Sequence, residues 1–441
     1  MDVKEAIEYI EAFGWSKTRL GLERTRELLA RLGDPQKKLK FVHVAGSNGK
    51  GSTCAMTEAV LRAAGYKTGL YISPYIEDFC ERIQFCGQNI EGEALAEITE
   101  AVREEAEKME DHPSQFELVT AIGMLYFVRK GCDIVVLEVG MGGELDSTNA
   151  IDAPEVAVIT NIGLEHTEYL GNTLAEIASA KAGIIKPGCE VVCYDLEPEA
   201  LQVVEERCRE CGAPLHKADF LQLTAAGASV FPQGALPAGQ MLRYKGNLYF
   251  TPLLGDHQRR NAAVAVEIIN ALRKRGWEID DKALKHGIGT VSWPARFEVL
   301  GYGPLFILDG GHNPQCAQAL AAALAELLPG KKVNFVMGVL ADKDYGSMID
   351  SVMPFADAFY CVTPLSARAL AAGALAEELR ARGGRAAAFD DYEQAMAAAM
   401  RAAGAGGAVV AFGSLYAAGA VRGIYRSRFA APADMAQGSR L

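Results

Sequence analysis

The run Val44-Ala45-Gly46-Ser47-Asn48-Gly49-Lys50-Gly51-Ser52-Thr53 carries the plainest chemical signal in the sequence. Three glycines allow a tight turn whose backbone N–H groups point at an anion, and Lys50 adds a point charge for β- and γ-phosphates. A hydroxyl from Ser52 or Thr53 is placed to reach a magnesium ion on those phosphates. The spacing departs from the usual Gly-x4-Gly-Lys-Ser/Thr loop, because Val44 stands where its first glycine would be and Gly51 follows the lysine. A plain glycine-rich turn is the competing account. The coincidence of Gly, Lys and Ser/Thr at a strand–loop–helix junction favours a nucleotide-phosphate site.

Such a loop needs a strand before it and a helix after it, and the sequence supplies both. Strand-like apolar runs are Lys40–Val44, Thr68–Ser73, Asp133–Val139, Val156–Asn161 and Glu190–Tyr194. Helical patterns fit between several of them, at Ser52–Ala64, Phe116–Lys130, Leu174–Ile184 and Pro198–Arg209, and a further helix begins near His257 and ends at Gly276. Short apolar strands alternating with helices predict a parallel sheet covered on both faces. A second alternating series follows Trp293-Pro294, with strands at Leu305–Asp309, Lys332–Met337, Ala358–Val362, Ala386–Phe389 and Ala408–Phe412. The expected fold is α/β. A P-loop-type, mostly parallel sheet domain flanked by helices spans 1–294, a smaller Rossmann-like α/β domain spans 295–428, and 429–441 is a frayed tail. The linker is placed at Pro294–Gly303.

Composition narrows the function classes. The chain has 441 residues, half of them hydrophobic, which suits two or three globular domains. Its 44 basic and 56 acidic residues give a net charge of −12, which argues against nucleic acid as the main partner. A small anionic ligand stays open, since a local nest of N–H groups holds phosphate on an acidic protein. The ten cysteines sit largely in apolar or helical runs. Cys208-x-x-Cys211 has no second pair at zinc spacing, so reduced thiols in a cytoplasmic protein are expected. Residues 1–13 are acidic and amphipathic, unlike a signal peptide, and the glycine-rich stretch 402–421 is too weak for a membrane span.

A longer set of motifs then comes into view. Gly46-Ser47-Asn48-Gly49-Lys50-Gly51-Ser52, preceded by His43-Val44-Ala45, resembles the nucleotide loop of folylpolyglutamate and dihydrofolate synthases, in the Mur ligase superfamily. In the same order follow Gly21-Leu22-Glu23-Arg24 (before the loop), Ser73-Pro74, Glu81-Arg82-Ile83 and Glu138-Val139-Gly140-Met141-Gly142-Gly143. Leu145-Asp146-Ser147-Thr148-Asn149, Ile162-Gly163-Leu164-Glu165-His166-Thr167, and Lys181-Ala182-Gly183-Ile184-Ile185-Lys186-Pro187-Gly188 continue the series. Gly255-Asp256-His257-Gln258, Asn261-Ala262, Trp293-Pro294-Ala295-Arg296, Asp309-Gly310-Gly311-His312-Asn313-Pro314, Ala341-Asp342-Lys343-Asp344 and Gly413-Ser414-Leu415-Tyr416 complete it.

The resemblance implies an enzyme that moves the γ-phosphoryl of ATP onto a carboxylate, after which the amine of L-glutamate attacks the acyl phosphate. That chemistry asks mainly for positioning and charge neutralisation. Carried over, Gly46, Asn48, Gly49, Lys50, Gly51, Ser52 and Thr53 hold the phosphates. Ser52, Ser73, Glu138, His166 and Lys181 surround two magnesium ions, with a monovalent cation as a further candidate. Lys181 is implied to be carbamylated by CO2. Asn261 and Asp309 contact the nucleoside, and His312 lies near the nucleotide or the amino acid. Arg296, whose planar fork holds phosphate oxygens, sits just past the interdomain boundary, where closure brings it onto the phosphates. Lys50, Glu138, His166, Lys181 and Arg296 form the catalytic set. Folate or dihydropteroate rests against Gly21, Leu22, Arg24, Arg82, Gln115, Phe116, Glu117, Asp146 and Asn149, with Ser414 near the amino acid. The expected protein is a cytoplasmic monomer without nucleic acid or membrane partners.

Two positions depart from the pattern. Tyr75 stands where Ser-Pro-His is frequent, and Glu144 where Gly-Gly-Arg is frequent. Replacing a cation by Glu bears on recognition of substrate carboxylates rather than on ATP. Alternatives are a Mur-type ligase acting on another carboxylate and a non-catalytic nucleotide-binding protein. Only about 45 residues precede the loop, which disfavours the cell-wall branch with its extra leading domain.

Overall fold

A computed structural model describes residues 1–14, 21–228 and 238–430. The chain forms two compact units. The first holds 1–224, 244–249 and 260–291, and the second holds 225–243, 250–259 and 292–441. The second unit thus takes in three stretches, 225–243, 250–259 and 292–294, that the sequence reading assigned to the first domain.

The first unit is built on an eight-stranded sheet. Its strands are β1 (Phe41–Ala45), β2 (Thr68–Tyr71), β3 (Ile83–Phe85), β4 (Gln88–Asn89), β5 (Ile134–Glu138), β6 (Val156–Ile159), β7 (Glu190–Cys193) and β8 (Leu215–Lys217). They lie in the order β4-β3-β2-β5-β1-β6-β7-β8. From β2 to β8 the neighbours run parallel, and β3 and β4 add an antiparallel edge. β1 and β5 are buried at every residue, as central parallel strands covered on both faces must be. Phe41, Tyr71, Val135 and Leu137 pack with Leu118, Ile122 and Phe127 of the helix Gln115–Lys130 into one core. That helix begins with a capping box from Ser114 and Glu117 and stops at Gly131 in the left-handed conformation.

β9 (Leu223–Ala228), β10 (Gln240–Tyr244) and β11 (Asn247–Thr251) form a three-stranded sheet. The second unit carries β12 (Glu298–Tyr302), β13 (Leu305–Asp309), β14 (Val333–Met337), β15 (Ala356–Cys361), β16 (Ala386–Ala388) and β17 (Ala408–Phe412), in the order β12-β13-β17-β14-β15-β16. All neighbours are parallel except the edge strand β12. β12 corrects the expected linker, because half of Pro294–Gly303, Glu298–Tyr302, is sheet. The expected frayed tail is corrected at its start, since a π-helical turn runs over Tyr425–Phe429, and 431–441 lies outside the described residues. The short strands β3, β4, β8 and β16 have two or three residues each, too few to show a period.

All ten cysteines are free thiols. Among the described residues, no helix is long and apolar enough to cross a membrane.

Candidate active site

β1 ends at Ala45, and the helix Lys50–Ala63 starts four residues after Gly46. Gly46 (φ 152°) and Gly49 (φ 83°) both take positive φ. A Cβ on Gly46 would lie 1.7 Å from Thr160 Oγ1, and one on Gly49 would lie 2.6 Å from Asn261 Oδ1. Neither position admits a side chain. The segment after β6 straps the loop in place. Ser47 N donates to Asn161 O (2.8 Å), Asn48 N to Asn161 Oδ1 (2.7 Å), and Thr160 Oγ1 to Asn48 O (2.8 Å). Ser47 Oγ contacts both N and O of Gly163 at 3.0 Å. Tyr194 Oη donates to Asn261 Oδ1 at 2.8 Å, which fixes the asparagine against Gly49. Ser52 and Thr53 are buried in the first turn of the helix, next to Gly51.

Two ammonium groups share one carbonyl in this loop. Lys50 Nζ donates to Gly46 O (2.8 Å) and Ser47 O (3.2 Å), and Lys181 Nζ donates to the same Gly46 O at 3.0 Å. Lys181 is 1% exposed and pairs with Glu165 Oε1 at 2.7 Å. Lys181 is therefore a core lysine and not an ordinary helix-surface one. Burial pulls its pKa below the ordinary lysine value; Glu165 opposes that and Lys50 adds to it. Glu165 sits below the usual carboxylate range: burial alone would raise it, and the attraction of Lys181 and Lys50 prevails.

Glu138 closes β5 and is buried, with Oε2 accepting from Ser73 N at 3.1 Å. Arg82 Nη1 donates to Ser73 Oγ at 3.2 Å, and its guanidinium lies 5.0 Å from the centroid of Tyr75 and 5.5 Å from that of Phe79. Tyr75 thus serves as a face for Arg82. His166 takes a left-handed backbone (φ 47°) and caps the short helix Thr167–Leu170, its carbonyl accepting from Tyr169 N and Leu170 N at 2.9 Å. Among the described residues, no three His, Cys, Asp or Glu side chains converge as a ready-made metal cluster. Ser73 and Glu138 offer hard oxygen donors side by side. This suits magnesium, which keeps waters and takes substrate phosphates alongside one or two protein oxygens.

The expected substrate residues divide into two groups. Arg24 Nε reaches both Glu117 oxygens at 3.1 Å, and Arg24 Nη1 reaches Asp111 at 3.1 Å. Glu117 also accepts from Ser114 N (2.7 Å) and Thr25 Oγ1 (3.4 Å). Glu117 is therefore engaged as a helix cap and ion-pair partner of Arg24. Leu22 is buried beside Gly21, and Gln115 N bonds Phe13 O at 3.1 Å. The Phe116 ring lies against Gly140, where a Cβ would stand 2.5 Å from its Cζ, and meets Tyr71 edge-on. In the second group, Asp146 is buried and caps the turn Ser147–Asn149. Asn149 Nδ2 donates to Glu144 O (2.9 Å) and Gly183 O (3.3 Å). Glu144 itself is exposed.

In the second unit, Asp309 ends β13 with Oδ1 accepting from Gly311 N (2.8 Å) and Oδ2 from Phe297 N (3.0 Å). Arg296 stands between Ala295 (φ 54°) and Phe297 (φ 48°), two non-glycine residues in the left-handed region. Such strain persists only where neighbours hold it. Here Glu298 Oε2 accepts from Ala295 N at 2.8 Å while its Oε1 pairs with Arg422 at 3.0 Å, and Gly310 N donates to Ala295 O at 2.8 Å. His257 is half-buried and its pKa lies below the ordinary value, mainly through desolvation; nearby Asp309 opposes this and Arg296 adds to it. His312 Nδ1 is 3.1 Å from Gly310 O, and Ser414 is buried at the start of the helix Leu415–Ile424.

Residues 44–269 match the Mur ligase middle domain, and residues 295–415 match the Mur ligase glutamate ligase domain. The dihydrofolate synthase/folylpolyglutamate synthase of Bacillus subtilis (strain 168) is 38% identical over 80% of this chain and 84% of its own. The chain belongs to this family of Mur ligases. The folylpolyglutamate synthase of Lacticaseibacillus casei is 35% identical over 96% of this chain and 98% of its own. E. coli FolC in complex with DHPP and ADP superposes with a TM-score of 0.84 at 30% identity, covering 98% of this chain and 99% of that one.

Several side chains that hold these loops, each within its own unit, carried no assigned role in the sequence reading. Thr160 and Asn161 end a strand and show nothing of their strapping role in residue type alone. Glu165 lies inside a quoted motif, and its ion pair with Lys181 is visible only in three dimensions. Arg259, Glu298 and Arg422 were likewise not singled out. Yet Arg259 is 7% exposed and joins Glu326 (2.7 Å), Asp256 (3.1 Å) and Gln240 (2.8 Å), all in the second unit.

Proposed function

We propose that this chain is an ATP-dependent ligase that adds L-glutamate to the carboxylate of a dihydropteroate or folate through an acyl phosphate, releasing ADP and phosphate. The observation that carries the reading is the strapped loop at Gly46–Ser52, with the Lys50 and Lys181 ammonium groups gathered on Gly46 O and Glu138 next to Ser73. Membership among Mur ligases supports the reaction class.

In this reading the N–H groups of Gly49 and Gly51 hold the phosphates with Asn48 shaping the loop, and Lys50 swings from the loop carbonyls onto the β- and γ-phosphates. Ser52, Ser73 and Glu138 would hold magnesium, with His166 as a further donor; the ion supplies charge neutralisation at the transferred phosphoryl group. Asn261 and Asp309 take the nucleoside, and Arg296 clamps phosphate oxygens. Lys181 in its present pairing with Glu165 is the uncarbamylated form. As a carbamate it would place a second anion beside Glu165, so that carboxylate would have to turn away. Phe116, Asp146 and Asn149 line the pterin-bearing substrate, and His312 and Ser414 face the amino acid. The reading also places the protein in the cytoplasm as a monomer, and the free cysteines support a reducing compartment.

The test is phosphate release from ATP and magnesium with L-glutamate, offering dihydropteroate and tetrahydrofolate separately. Turnover with either, dependent on both the pteridine and glutamate, is expected. Tight AMPPCP binding without turnover on either would overturn the reading in favour of a nucleotide-binding protein.

A further inference from the structure

β1 does two things at once. Its C-terminal end delivers the phosphate loop at Gly46. Its middle carries His43, fully buried in a strand whose other residues are Phe41, Val42, Val44 and Ala45. A polar ring in such a strand needs a partner. His43 Nε2 lies 2.9 Å from Thr148 Oγ1, and Thr148 Oγ1 lies 2.5 Å from Asp146 Oδ1. Thr148 N donates to the same Oδ1 at 3.0 Å, and Met141 N donates to Oδ2 at 2.9 Å. Among the described residues, His43 Nδ1 has no hydrogen-bond partner.

The donor bookkeeping orders this chain. Asp146 receives N–H groups on both oxygens and therefore acts as an acceptor. The Thr148 hydroxyl then gives its proton to Asp146 and accepts from His43, which places the imidazole proton on Nε2. The imidazole is neutral, its pKa pushed down to about 3 by burial and by the charge of Lys186. The linked residues span the whole 140–149 loop: Met141 at its start, Asp146 and Thr148 in its second half.

We infer that His43 is a positioning residue for the pteridine substrate, acting through Thr148 to hold Asp146 and the 140–149 loop in register with the phosphate loop on the same strand. This rests on the reading that Asp146 and Asn149 line the substrate site. Phosphoryl transfer needs the accepting oxygen within a fraction of an ångström of its place relative to the γ-phosphate. A strand that ends in the phosphate loop and also anchors the substrate loop sets that distance without relying on either loop's own stiffness.

The experiment measures KM for dihydropteroate and for ATP, with kcat and melting temperature, in His43→Leu, His43→Gln, Thr148→Val, the double variant His43→Leu/Thr148→Val, and Asp146→Asn. Gln places an amide N–H near the position of Nε2, whereas Leu has no donor. His43→Leu and Thr148→Val are expected to raise the dihydropteroate KM by about tenfold, the size of one lost buried hydrogen bond, with ATP KM within twofold. His43→Gln is expected to recover most of that loss. The double variant should be no worse than the poorer single one, as for residues acting in one chain. Should His43→Leu unfold, Thr148→Val and His43→Gln carry the same comparison. If His43→Leu or Thr148→Val lowers the melting temperature but leaves dihydropteroate KM within twofold while Asp146→Asn raises it, the ring is only a core packing element and the inference is wrong. If Asp146→Asn itself leaves dihydropteroate KM unchanged, the substrate-loop reading fails and the inference falls with it.

Discussion

Two tight loops in this molecule solve the same backbone problem with opposite means. The phosphate loop uses Gly46 and Gly49 where φ is positive, so the left-handed conformation costs little, and the space taken by Thr160 and Asn261 excludes any Cβ. The loop around Arg296 uses Ala295 and Phe297 at positive φ, each costing about 1–2 kcal/mol. It is held by Glu298, Arg422 and the Asp309 carboxylate. The first loop is specified by what its residues lack. The second is held by side chains, with Asp309 and Arg422 coming from farther along the chain, so residue type alone does not announce its left-handed conformation.

The sharpest way to break the comparison is Gly46→Ala. A methyl group 1.7 Å from Thr160 Oγ1 cannot be accommodated without moving the loop. AMPPCP affinity measured by calorimetry should fall by about 100-fold or more, roughly 3 kcal/mol. Thr160→Ala in the same chain should recover part of it, because the hydroxyl is the nearest obstacle.

Glu298→Ala acts on the other loop. It removes the acceptor of Ala295 N and one ion-pair partner of Arg422, so the strained pair should relax and Arg296 lose its place. ATP KM is expected to rise by about tenfold, with stability to urea lower by about 1–2 kcal/mol.

Lys186 tests the same idea on a third loop, where a side chain again does the holding. Its ammonium donates to Asn149 O at 3.0 Å and to Ile151 O. Burial, with Arg26 nearby, lowers its pKa to about 8. In the unfolded chain it titrates near the ordinary 10.5, so between about pH 8 and 10.5 the unfolded state binds more protons. The contribution of Lys186 to stability therefore rises with pH across that window. Urea unfolding of the protein and of Lys186→Met should show a stability difference that moves in favour of the parent chain from pH 8 to 10. A difference that stays flat would mean the ammonium is not desolvated in the fold.

Ala295→Gly should have the smallest effect. Relief of left-handed strain and the greater freedom of glycine in the unfolded chain nearly cancel, leaving a gain of about 0.5 kcal/mol. A loss above about 1 kcal/mol would show that the Ala295 methyl group packs better than its backbone suffers.

The contrast also explains what could be read from the chain alone. The central strands β1, β5, β6, β13, β14 and β17 are continuous apolar runs and were visible within a residue or so. The glycine loop was visible because glycine is informative at positive φ. β12 was read as linker because Glu298–Tyr302 is an antiparallel edge strand whose first three residues are only half-buried. Without the motif around it, Lys181 reads as an ordinary helix-surface lysine. Its burial follows from Glu165 and Gly46, brought to it by separate elements. Glu117 was expected at the substrate, yet its carboxylate is spent on Ser114, Thr25 and Arg24, a use that only the fold of the helix start and the 21–25 segment discloses. Side-chain reach across the sheet is what a linear reading lacks.

The measurement that tests the central claim most directly uses dihydropteroate carrying heavy oxygen in its carboxylate, with ATP, magnesium and L-glutamate. Attack of that carboxylate on the γ-phosphate, followed by displacement by the amine, moves one labelled oxygen into the released phosphate. The account predicts label in inorganic phosphate in proportion to product formed. Product with unlabelled phosphate, or label found in AMP, would contradict it.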